Sequence, residues 1–384
     1  MTGKQSILDR AVAAGDAPFL VEAHGNADGV AWTGAAGEAA PGRQAAMDTV
    51  YRIFSMTKAV GSTAAMMLID RGKIGMDDPV DKYLPEARDL KVLDGWDGDQ
   101  PRLRTPASMP TLRQLATHTS GLVYEFWSAD VAKWMEATGH PTIISGLNAS
   151  MNYALAFDPG ARWDYGIGID WLGKVVEAVD GRRIDAFLKE ELFAPLGMRD
   201  TACEVEDHMA GRLASVKARG EDGAFVDFEL APPLNPEFYG MGHALYSTPA
   251  DYLTFIRLFL NRGTMNGHRI LSEDAVDRML ANSIGDLRIG KMVSLAPAMS
   301  ADVELFPGTP MTHSFGFVRN ESDVPGMRSA GSQGWAGVLN SHYWFDPAKD
   351  VAAVIMTQSL PFVDPRFLGV YEAFEKAVYE EIGK

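Results

Sequence analysis

Residues 53–70 read "IFSMTKAVGSTAAMMLID", and this stretch decides how the rest of the chain is read. Apolar and small residues run through it, and Gly72 comes next, so residues 56–71 are expected to form a helix that stops at a glycine. The helix is apolar on nearly every face, which predicts a buried one. Ser55 stands at its start and Lys58 lies one turn further on, on the same face. A serine there commonly caps free backbone N–H groups, and Lys58 would then be a bystander. The position argues otherwise. A cation at a helix N-terminus is opposed by the helix dipole, and a buried one is also desolvated; both effects favour the neutral amine. A neutral lysine beside a serine hydroxyl is a general base beside a nucleophile.

Outward from this helix, the first residues read as a short amphipathic helix. "FLVEAHG" (19–25) and "GVAWTG" (29–34) come next as strands joined by a turn. The middle of the chain carries helical periodicity broken by Pro and Gly: "TLRQLATH" (111–118), "IDWLGKVVEAVDG" (169–181), "RIDAFLKEELFAPLG" (183–197), "PADYLTFIRLFLNRG" (249–263) and "SEDAVDRMLAN" (272–282). Near the end "GVLNSHYWFDP" (337–347) and "VAAVIMTQ" (351–358) read as paired strands, and residues 364–383 as a closing helix. Strands at both ends with helices between predict one mixed sheet built from both termini and an inserted, mostly helical lobe. The boundaries expected are 1–76 with 312–384 for the α/β lobe and 77–311 for the helical lobe, with the active site between them.

The chain has 384 residues, with Lys+Arg 35 against Asp+Glu 51 and a formal charge of -16. Such a field repels nucleic acid and anionic membrane surfaces. The single cysteine, Cys203, allows no intrachain disulfide, and its acidic surroundings ("DTACEVED") blunt a thiol nucleophile. Asp9 interrupts the N-terminal segment before any signal-like apolar core, and no stretch reaches the ~20 apolar residues of a membrane span. A cytoplasmic location is the expectation.

Several ordered segments then carry a resemblance. "SMTK" (55–58), "RQLATHTSGL" (113–122), "FDPGARWDYGIGIDWLGKVVE" (157–177), "MGHALYSTPADYLTFIRLFLNRG" (241–263) and "SAGSQGWAGVLNSHYWFDP" (329–347) resemble the successive motifs of the serine β-lactamase and penicillin-binding-protein superfamily, most nearly its class C-like family VIII carboxylesterases. The resemblance spans residues from about 50 to the C-terminus. It implies an α/β fold of the α+β type: a central antiparallel sheet flanked by helices, with the helical lobe inserted. It also implies Ser55 as nucleophile, Lys58 as base, Tyr165 as proton relay, and an oxyanion hole from the backbone N–H groups of Ser55 and Trp335.

Two departures bear on substrate. Where β-lactamases carry Lys-Thr-Gly, this chain has Ser332-Gln333-Gly334 and then Trp335; where they carry Tyr-x-Asn, it has Tyr165-Gly166-Ile167. Ile167, Ser332, Gln333, Gly334 and Trp335 are therefore expected to line a substrate site poor in polar handles, suited to neutral acyl groups. The reading is a serine hydrolase cleaving short-chain carboxylic esters through an acyl-enzyme, with no metal or organic cofactor and a small-molecule ester as partner. Acyl transfer to an alcohol, or β-lactamase, amidase or peptidase action, are the enzymatic alternatives. A non-catalytic penicillin-binding module is a further one. "AGSQG" (330–334) approaches a G-x-S-x-G elbow, but the residues after Ser332 read as strand. His118 is expected to be structural, and no histidine pair shows metal-binding spacing.

Overall fold

The computed structural model describes residues 3–383. Its centre is an eight-stranded sheet. Three strands come from the N-terminal part: β1 (Phe19–Gly25), β2 (Val30–Ala40) and β3 (Arg43–Gln44). Five come from the C-terminal part: β4 (Met311–His313), β5 (Val318–Asn320), β6 (Gln333–Gly337), β7 (Ser341–Asp346) and β8 (Val351–Met356). The spatial order is β4-β5-β6-β7-β8-β1-β2-β3, and the two ends of the chain meet where β1 pairs with β8. Every pairing in it is antiparallel, as the resemblance implies and not mixed as the strand pattern alone suggests. Short links join most consecutive strands, and tight links give antiparallel neighbours; β1 and β8, from the two ends of the chain, also run antiparallel.

Both faces of the sheet are covered. On β8, Val351, Ala353 and Ile355 pack with α1 (Gly3–Ala13) and α5 (Pro365–Ile382), while Ala352, Val354 and Met356 join the main core on the other face. That is why "VAAVIM" is a continuous apolar run and not an alternating one. Helix α2 (Thr57–Asp70) is buried from Thr57 to Ile69 and packs against α3 (Gly168–Asp180). Helix α4 (Pro249–Leu260) lies against β8, β1 and β7. One apolar core runs through sheet and helices alike.

Three glycines bring the backbone close enough to build the site. Met241 is wedged between Gly61 on α2 and Gly173 on α3; a Cβ on either glycine would come within 2.6 Å of the Met241 side chain. The end of β6 presses on the residues before α2, where a Cβ at Gly337 would sit 2.4 Å from the Ile53 carbonyl oxygen. Among the described residues no helix is long and apolar enough to cross a membrane.

Candidate active site

Ser55 lies in a short 3₁₀ turn, Phe54–Met56, that leads into α2. Phe54 has φ 39°, an uncommon conformation for a bulky residue and a local strain beside the serine. The surroundings hold it there. The Ile53 N–H donates to the Leu245 carbonyl, Tyr252 OH donates to the Met56 carbonyl, and the Leu245 N–H donates to Thr57 Oγ1. Ser55 does not cap α2, which begins without a side-chain cap. Its hydroxyl is engaged by Lys58 instead.

Lys58 is 2% exposed, and its Nζ donates to Ser55 Oγ at 3.2 Å, Tyr124 OH at 2.9 Å and the Gly242 carbonyl at 2.8 Å. None of the three is a carboxylate. The Gly242 oxygen only accepts, whereas both hydroxyls donate or accept. A neutral amine can therefore donate to Gly242 and one hydroxyl while accepting from the other. An ammonium can donate to all three. Both proton states of Lys58 fit the same partners, so a proton can pass from Ser55 to Nζ without rearrangement.

Tyr124 and Tyr165 stand side by side, their ring centroids 5.2 Å apart. The Tyr124 N–H donates to the Tyr165 carbonyl, and Gly166 permits this approach: a Cβ there would meet the Leu122 carbonyl oxygen at 1.7 Å. Burial, then the nearby Asp170 charge, pushes the Tyr124 phenol well above its usual range, so it stays protonated. The Tyr165 oxygen accepts from the Trp335 indole N–H at 3.0 Å, and the Lys58 Nζ lies 4.8 Å from the centre of its ring. His118 packs against the Tyr165 ring and its Nδ1 accepts from the Gly166 N–H. Burial, followed by His313 and Lys58, holds His118 well below the usual range and neutral.

A cavity of about 300 Å³ opens over these groups. Ser55, Tyr124, Tyr165, Trp335 and His243 reach it, and Phe54, Phe126, Trp127, Met299 and Phe362 give it apolar walls. Glu125, on its wall, accepts from Thr142 Oγ1 and Tyr153 OH. No Arg or Lys side chain lines it among the described residues. A larger cavity of about 490 Å³ shares Trp335, Ala336 and Phe362 as walls; there Arg328 pairs with Glu375 and Tyr371 through Nε and Nη2.

Of the residues expected from sequence, Ser55, Lys58, Tyr165 and Trp335 come together. The others do not line this cavity. Ile167 is fully buried at the start of α3. Ser332 Oγ donates to the Ser329 carbonyl, and the Gln333 side chain bonds Ser314 and the carbonyls of Leu280 and Gly331. Gly334 faces the larger cavity. Ser332 precedes strand β6 and not a helix, so it makes no nucleophile elbow. Cys203 is buried, which raises its thiol well above the usual range. No cluster of His, Cys, Asp and Glu able to hold a metal occurs among the described residues.

Sequence reasoning missed Tyr124, Gly242, His243 and Asp170. Tyr124 lies only two residues beyond "RQLATHTSGL" (113–122), but its contact with Lys58 spans 66 residues of sequence.

The family model described as Beta-lactamase matches residues 6–377. Over 351 residues the chain is 29% identical to monacolin J acid methylbutanoyltransferase of Aspergillus terreus, covering 87% of this chain and 83% of that protein. It is 26% identical over 348 residues to lovastatin esterase of Penicillium rubens, covering 87% and 86%. Among solved structures, unliganded simvastatin synthase from Aspergillus terreus superposes with a TM-score of 0.86 at 26% identity, over 98% of this chain and 97% of that one. EstCE1, a hydrolase with promiscuous acyltransferase activity, superposes with a TM-score of 0.77 at 20% identity, over 98% and 97%, and shares the fold.

Proposed function

Because this chain belongs to the Beta-lactamase family, we propose that it is a serine hydrolase that cleaves short-chain carboxylic esters through an acyl-enzyme on Ser55. The observation that carries the reading is the set of partners of Lys58: a buried amine bonded to the serine hydroxyl, a phenol and a carbonyl. In the proposed cycle Lys58 takes the Ser55 proton as Oγ attacks the ester carbonyl. The developing oxyanion is held by backbone N–H groups of Ser55 and Trp335. The Ser55 N–H lies in the first turn of a helix and has no intrahelical acceptor. Trp335 pairs with Tyr343 of β7, and β5 reaches only as far as Gln333 and Gly334. Tyr165, whose oxygen accepts from the indole of Trp335, gives its phenolic proton to the departing alkoxide. Water then releases the acid by the reverse sequence.

Acyl transfer to an alcohol is the second reading. It is supported by the apolar cavity walls, which favour an organic acceptor over water, and by the acyltransferase named among the relatives. The test is a panel of p-nitrophenyl esters of increasing acyl length, run with and without a competing alcohol. Hydrolysis predicts free acid throughout, and transfer predicts an alcohol-dependent rise in ester product. No turnover of any ester, with no fluorophosphonate adduct on Ser55, would reject both readings.

A further inference from the structure

Close to Lys58 lies a buried carboxylate that does not itself line the cavity. Asp170 sits in the first turn of α3, is 1% exposed, and its Oδ1 accepts from the Gly242 N–H at 2.9 Å. Its Oδ2 has no hydrogen-bond partner among the described residues. The His243 Nδ1 is 3.6 Å from Oδ1 and likewise makes no hydrogen bond. Gly240 and Gly242 leave room for this carboxylate: a Cβ on Gly242 would lie 2.5 Å from Oδ2, and one on Gly240 2.6 Å from Oδ1. The segment that offers Lys58 its carbonyl is thus shaped around Asp170.

We propose that Asp170 is a positioning residue for the lysine base: it clamps the Gly242 backbone so that the carbonyl meets Nζ, and its negative charge stabilises the ammonium formed when Lys58 takes the serine proton. In that step the Ser55 O–H bond breaks and an N–H bond forms on Nζ. Asp170 keeps its charge and accepts no proton. The inference rests on the acyl-enzyme reading above. A neighbouring carboxylate makes protonation of a buried amine easier, because the cation then has a counter-charge in a low-dielectric interior.

The groups facing Asp170 are Lys58 from α2, His243 from the adjoining segment and Tyr124 from the loop beside α3. Burial, then Lys58, holds His243 down at about 3, so it is a neutral imidazole. Tyr124 is a neutral phenol. Of these groups, Lys58 is therefore the one that carries a positive charge toward Asp170 once it has taken the serine proton. Burial raises the Asp170 carboxyl to about 6, against the opposing pull of Lys58. Above about pH 6 the carboxylate is charged and supports the base; below it the carboxyl is protonated and the support is lost.

The experiment is Asp170→Asn, which keeps an oxygen to accept from the Gly242 N–H and removes only the charge. At pH 8 the expected kcat on a p-nitrophenyl ester falls about 10- to 100-fold with KM changed less than about threefold, as for a transition-state effect. The ratio of wild-type to variant kcat should shrink toward 1 as pH falls below about 6, which a merely structural role would not produce. A ratio constant from pH 5 to 8, or wild-type kcat at pH 8, overturns the proposal. Should the variant not fold, the wild-type enzyme still decides: its rate of fluorophosphonate labelling at Ser55 must fall through about pH 6, and a flat profile overturns it. A wild-type enzyme that takes no label at Ser55 rejects the acyl-enzyme reading itself, a separate outcome.

Discussion

Among the described residues two lysines are buried, and their surroundings are opposite. Lys4, on α1, is 3% exposed; its Nζ pairs with Glu381 at 2.5 Å and contacts His24 Nε2 at 2.6 Å, with the carboxyl of Glu22 close by. Lys58 is equally buried but meets a hydroxyl, a phenol and a carbonyl. A carboxylate in direct contact favours the charged form of an amine. Neutral oxygens hold the amine in place while letting it gain and lose a proton. Burial alone does not make a lysine reactive; the identity of its partners does.

The largest expected effect comes from deleting what Lys58 serves. Ser55→Ala should lower ester turnover by roughly 10⁴-fold or more, with the fold retained, because only a hydroxyl is lost. Mass spectrometry of fluorophosphonate-treated enzyme should find the adduct on the peptide containing Ser55. An adduct on Ser332 would leave Lys58 no nucleophile to serve, and its contrast with Lys4 would lose its meaning.

Next are the lysines themselves. Lys58→Arg should cost about 10²–10⁴-fold in kcat, since a guanidinium stays charged and cannot act as the base. Lys4→Arg should leave kcat within about twofold, because its partner asks only for a cation. Similar losses in both variants, read from steady-state kinetics beside thermal melts, would erase the distinction between the two lysines.

Substrate choice depends on what the cavity lacks. A β-lactam carboxylate would lose water beside Glu125 without finding a lysine or arginine on the cavity wall. Short-chain esters face no such cost and can pack on Trp335. We expect kcat/KM for a p-nitrophenyl ester to exceed that for a chromogenic cephalosporin by about 10²-fold or more, about 2.7 kcal/mol of transition-state binding. Comparable efficiencies would show that another group receives the carboxylate.

The smallest effect concerns one of the three partners. Tyr124→Phe removes a single hydrogen bond to Nζ and should lower kcat by about tenfold, the scale of one hydrogen bond to a charged group. Tyr165→Phe should cost more, because it also removes the proton offered to the leaving group. The reverse order, measured side by side, would assign the relay to Tyr124.

Ser55 and Lys58 are legible in the sequence because their relation is local. A helix places residues three apart on one face whatever the rest of the chain does, and an all-apolar helix foretells burial. The strands at the two ends are legible for the same reason, as in "VAAVIM", whose unbroken apolar run marks a strand covered on both faces. Tyr124, Gly242, His243 and Asp170 are not, although each stands within a recognisable motif or a few residues from one. What joins them to Lys58 is backbone approach across long sequence separations: Gly166 against Leu122, Met241 between Gly61 and Gly173, Gly337 against Ile53. Ser332 and Gln333, expected as substrate contacts from their place in a motif, spend their polar atoms on neighbouring backbone and Ser314. Periodicity and spacing report which residues share a face. Which distant faces then meet, and so whether a buried lysine finds a carboxylate or a hydroxyl, is decided only by packing in three dimensions.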